Sequence, residues 1–127
     1  MTPRALLTQL NAGRVALGLS MIAAPHVVAG MWLGADGRRP AVRVLGRAFG
    51  ARDLVLGAGT LGAMRSGQSA RPWVVAGLVA DATDLGATLA GRDHLPRSSA
   101  PALVGIAGAA LVAGAVALAS GDDSPQA

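Results

Sequence analysis

Four apolar stretches run along the chain, each closed by breakers or charges. The first extends from Ala5 to Ala24 and is followed by Pro25 and His26. The second runs from Val42 to Ala63, after the loop Gly34-Ala35-Asp36-Gly37-Arg38-Arg39-Pro40. The third starts at Pro72, a residue suited to a helical first turn, and reaches Ala90. The fourth covers Ala102 to Ala119, beyond Gly91-Arg92-Asp93-His94-Leu95-Pro96-Arg97-Ser98-Ser99. Each approaches the roughly 20 residues that a helix needs to cross about 30 Å of hydrocarbon. The pattern predicts an all-α protein, a four-transmembrane-helix bundle with short loops. It forms a single domain over residues 1–119, and residues 120–127 read as a disordered acidic tail.

The first span admits two registers. In one it ends at Ala24, and Val27 to Leu33 lie at the interface, where Trp32 is favoured. In the other it runs from Val15 to Leu33 and Pro25 kinks it. The first is preferred, with Trp73 marking another span end. Arg14 inside the apolar region argues against a cleaved signal peptide. Odd loops carry Arg38, Arg39, Arg92 and Arg97, against Arg4, Arg65 and Arg71 on the other side. That margin leaves orientation open.

Composition strengthens the membrane reading. Of 127 residues 52% are apolar and only 14% charged, where a soluble domain carries about 25% charge. Eighteen glycines, with one Phe, two Trp and no Tyr, leave little to fill a soluble core. In lipid, small residues instead let helix backbones approach closely. The net charge of +4 is no nucleic-acid signature, because the arginines punctuate apolar runs rather than cluster on a solvated surface. The chain has no Lys and no Glu, a usage that codon bias in a high-GC genome explains. With no cysteine, disulfides, thiolate nucleophiles and Cys-held metals are excluded.

Ionisable residues inside the spans are the informative feature. Arg14 falls near the middle of the first span, Arg52 and Asp53 near the middle of the second, Asp81 near the middle of the third, and Asp84 one turn further on. A charge at mid-bilayer costs from about 2.5 to over 10 kcal/mol unless paired or hydrated. Gly46, Gly50, Asp53 and Gly57 share one helical face, as do Gly77, Asp81, Asp84 and Thr88. Asn11, Arg14 and Gly18 form a stripe on the first span. These placements predict an intramembrane polar cluster of Arg14, Arg52, Asp53, Asp81 and Asp84, with Asn11, Arg47 and Thr88 as secondary candidates. Such a cluster either fixes helix register or binds a proton, a headgroup or a small substrate. Arg43 and Arg47, one turn apart, read as snorkelling side chains. His26 reads as interfacial and His94 as a loop residue, and two such distant histidines make a catalytic zinc site improbable. No Ser-His-Asp set, P-loop or dinucleotide fingerprint is present. The fourth span carries no ionisable group and is expected to brace the bundle or meet lipid.

Arg14-Val15-Ala16-Leu17-Gly18, the run Gly46-Arg47-Ala48-Phe49-Gly50-Ala51-Arg52-Asp53-Leu54-Val55-Leu56-Gly57 and Asp81-Ala82-Thr83-Asp84 together carry a resemblance. Up to about Ala90 the chain resembles a family of small four-helix membrane proteins of high-GC bacteria, similar to the DoxX-like group. The resemblance implies a multi-pass protein of the bacterial cytoplasmic (inner) membrane and no particular activity. A comparison with the CDP-alcohol phosphotransferases is weaker. Ala51-Arg52, Asp81 and Asp84 echo their residue types, but no Asp-Gly precedes Ala51, the later aspartates are three apart rather than four, and two spans are missing.

Three function classes remain. An accessory or scaffold subunit would use the cluster for packing and its outer face for a membrane-protein partner; no cofactor or metal is expected. A proton-linked small-solute carrier would need a homo-oligomer. A headgroup binder would turn its arginines to phosphate.

Overall fold

The computed structural model describes residues 2–120, all helix and connecting turn, with no strand among them. Helix α1 spans Pro3–Ala23; Pro3 opens it and the Thr2 hydroxyl accepts a hydrogen bond from the Ala5 amide at 3.1 Å. It stops where the sequence demands. Pro25 lacks an amide hydrogen and forces Ala24 out of helical conformation, to φ −135° and ψ 62°. A second helix, α2, then covers Pro25–Leu33. It turns away so sharply that α1 and the segment Pro25–Arg38 meet at 107°. The alternative register, one kinked helix over 15–33, is thereby replaced by two helices and an elbow.

Gly34 ends α2 with φ +63°, a conformation that suits glycine, and a 3-10 turn over Gly34–Arg38 follows. Helix α3 spans Pro40–Arg65, α4 Arg71–Ala90 and α5 Ser99–Ser120. A short 3-10 turn at Arg92–His94 lies between α4 and α5. Ser120, expected in the tail, is the last helical residue and bonds back to the Val116 carbonyl at 2.9 Å. The rest of the expected acidic tail lies outside the described residues. Ser99, expected in a loop, opens α5 and donates its hydroxyl to the Trp32 carbonyl.

The four long helices close a circuit of contacts: α1 packs on α3, α3 on α4, α4 on α5 and α5 on α1. The α1–α3 contact is the most extensive, and glycines explain it. A Cβ on Gly18 would fall 2.6 Å from the Gly50 carbonyl oxygen, and one on Gly57 would fall 2.8 Å from the Asn11 carbonyl oxygen. Backbone rests on backbone here. The other end of the circuit is sealed by Leu7, Ala63, Ala70, Val74 and Ala117, a small-residue core. Large apolar side chains face outward instead, among them Leu19, Val44, Val79, Ile106 and Val112. That inversion suits an apolar surrounding.

Helices α4 and α5 are long and apolar enough to cross a membrane, and the bent pair from Pro3 to Arg38 qualifies as a third such segment. Helix α3, expected as a span over 42–63, falls short of that standard. Its 26 residues reach about 39 Å at 1.5 Å per residue, so length is sufficient. Arg43, Arg47, Arg52 and Asp53 lower its apolar character.

Candidate functional site: an interhelical Arg/Asp network

Close approach of α1 and α3 sets the geometry of the charged residues. Arg14 lies one turn before Gly18, so its guanidinium emerges beside the α3 backbone. Its Nη1 donates to Asp53 Oδ1 at 3.3 Å, and its Nη2 donates to Asp81 Oδ2 on α4. Gly77, one turn before Asp81, leaves room for the group: an added Cβ would touch Arg14 Nη2 at 3.6 Å. One side chain of α1 therefore joins α3 and α4.

Arg52 makes the second link. It grips Asp84 with both arms of its fork, Nη1 to Oδ1 at 3.0 Å and Nη2 to Oδ2 at 2.6 Å. Such a bidentate pair is both strong and directional. Arg52 also donates to Asp53 Oδ1 through Nη2 at 3.1 Å and Nε at 3.3 Å. Asp53 thus accepts from both arginines, and the five residues form one chain: Asp81, Arg14, Asp53, Arg52, Asp84. The Arg14 side chain is 9% exposed, the aspartates 14–16% and Arg52 31%. Three carboxyl groups face two guanidiniums, so the network has one acid more than it has arginines.

An aromatic pair extends it. The Arg52 guanidinium lies 4.7 Å from the Phe49 ring centroid, a cation–π contact. Phe49 in turn meets Trp32 edge-on at 6.2 Å. Sequence reasoning missed this role for both residues. Phe49 stands three positions before Arg52, a spacing that puts the two on one helical face. For Trp32, which reaches Phe49 only through the elbow, no comparable signal existed.

The secondary candidates stand apart from the chain of ion pairs. Asn11 is buried but donates to the Leu7 carbonyl of its own helix at 2.9 Å. It borders a cavity of about 10 Å³ shared with Arg14, Gly77 and Asp81, room for about one water. Arg47 donates through Nε to the Ile22 carbonyl at 3.3 Å, satisfying an orphan acceptor at the broken end of α1. Thr88 is buried and its hydroxyl has no partner, as is true of the Trp32 indole N–H. Thr60 and Thr83, by contrast, bond back to carbonyls four residues earlier.

No group of three or more His or carboxylate residues is arranged to hold a metal ion among the described residues. The three aspartates of the network are each held by an arginine, which is a poor donor set for a cation. Compared with known protein families, curated proteins and solved structures, the chain matches none.

Proposed function

We propose that this chain is a four-pass protein of the bacterial inner membrane that serves as an accessory or scaffold subunit, its Arg/Asp network fixing helix register. The observation that carries this reading is the closure of the network. Both terminal nitrogens of Arg14 and of Arg52, the arginines of the network, already point at an aspartate. The adjoining cavity of about 10 Å³ has room for water but for no larger solute. Crossing by α3 is supported by the same pairing, since Arg52 and Asp53 reach lipid depth already neutralised by α1 and α4. The exposed apolar residues of α5 supply a face for a membrane-protein partner.

A second reading draws on the acid in excess. A network with three acids and two bases can take up a proton, as a proton-linked carrier acting as a homo-oligomer would require. Flux measurements in liposomes separate the two. The scaffold reading expects no pH-driven flux from the purified chain, and a stoichiometric membrane partner after gentle extraction. Proton-coupled flux that disappears in Asp81→Asn would overturn it in favour of the carrier.

A further inference from the structure

Beyond the elbow, α2, the 3-10 turn and the start of α3 line a wide cleft at one end of the molecule, away from the ion-pair network. Its volume is about 910 Å³, within the range of small-molecule sites, and it opens to the surroundings. His26, Val27, Gly30 and Met31 of α2 form one wall, and Arg38 and Arg43 stand on the other. The two sides differ in chemistry. Val27 is 53% exposed and Met31 80%, so α2 presents bare apolar surface. Arg38 and Arg43 are exposed and make no side-chain hydrogen bond or ion pair among the described residues.

Local electrostatics leave this place short of negative charge. Arg38, Arg39 and Arg43 crowd the start of α3, where the helix dipole already favours an anion. No acidic residue stands in the first turn of α3, and no side chain caps it. Asp36 offers the nearby carboxylate and is engaged by Arg39 at 3.5 Å. Two free guanidiniums therefore face an apolar cleft at a cationic helix end.

We propose that this cleft binds an anionic phospholipid, with Arg38 and Arg43 meeting its phosphate and Val27 and Met31 lying along its acyl chains. Only an amphiphile satisfies both walls, since a free phosphate would leave the apolar one uncovered. The direction of α2 agrees: on the four-pass reading α1 crosses, and α2, turned 107° from it, lies across its end as an interfacial segment does. The assignment rests on the membrane reading above but not on the scaffold role.

The test uses the full chain reconstituted into phosphatidylcholine liposomes containing a minority of phosphatidylglycerol, followed by gentle extraction and native mass spectrometry of retained lipid. Wild type is expected to retain phosphatidylglycerol in preference to phosphatidylcholine. Each arginine removed in Arg38→Gln and Arg43→Gln should lower that preference about fivefold, the effect of one basic residue near an anionic surface. Arg65→Gln with Arg71→Gln, at the opposite end, should leave it unchanged. Equal retention of both lipids by wild type, or the same loss in the control pair, overturns the site. Displacement by excess glycerol phosphate would overturn the lipid assignment in favour of a free anion. Failure of the chain to enter liposomes would remove the membrane reading as well, whereas entry without lipid preference removes only this site.

Discussion

Arg14 is the side chain on which two interhelical contacts depend at once. Replaced by alanine, it strands Asp53 with only the Arg52 contact and Asp81 with no arginine. Breaking a buried pair by removing one partner costs about 3–5 kcal/mol, because an uncompensated charge stays behind. Arg14→Ala is therefore expected to fall in that range, read as loss of folded protein in a denaturant titration in mixed micelles. Arg52→Ala should cost less, since its side chain is 31% exposed against 9% for Arg14 and water can reach what it leaves. Its loss also removes the cation–π contact with Phe49. Equal effects of the two substitutions would mean that the network is uniformly hydrated, and the ranking by burial would be wrong.

At the scale of the element, glycine faces decide which helices touch. A Cβ on Gly50 would meet Gly18 O at 2.6 Å and Met21 Cβ at 2.7 Å, both in the tightest helix contact of the molecule. Gly62 on the same helix has nothing within 4 Å of its added Cβ. Gly50→Ala should destabilise by about 1–3 kcal/mol through overpacking, while Gly62→Ala should be neutral or slightly stabilising. Thermal unfolding of the two variants side by side checks the contrast. These faces were legible in the sequence, because helical spacing put Gly46, Gly50, Asp53 and Gly57 on one stripe. The stripes on α3 and α4 also marked the faces that carry Asp53, Asp81 and Asp84, and Arg14 followed from its depth and its stripe with Asn11 and Gly18. What spacing could not give was the pairing itself. Asp53 serves two arginines and Asp84 takes a fork, and both depend on how far long side chains bend between helices. The elbow was half legible: Pro25 announced a break, but a proline alone fixes neither its angle nor the 3-10 turn that returns the chain into α3. Spacing singled out Thr88 by its place on the α4 stripe, but could not tell that its hydroxyl would lack a partner.

For the whole molecule, α3 is the element on which the number of crossings turns. Two helices, or three segments if the bent pair is counted, are apolar enough to cross on their own composition, and α3 is not. The charges of its middle are met by α1 and α4, Arg52 and Asp53 by the network and Arg47 by the Ile22 carbonyl, while Arg43 and Arg65 lie in its first and last turns. A helix whose charges are met by neighbours can occupy lipid that would reject it alone. On the four-pass proposal, insertion of α3 is a property of the assembled helices. Because the chain has no native cysteine, single cysteines report its topology without background. Cysteines at Ala35, before α3, and at Gln68, after it, should label from opposite faces of the membrane. A cysteine at His94 should label from the same face as Ala35. Labelling of Ala35 and Gln68 from one face would show that α3 does not cross, leaving the network to hold it against α1 and α4 at the surface. The same probes in Arg14→Ala carry the argument further. If covered charge is what admits α3, leaving Asp53 with Arg52 alone should move Gln68 toward the face of Ala35 in part of the population.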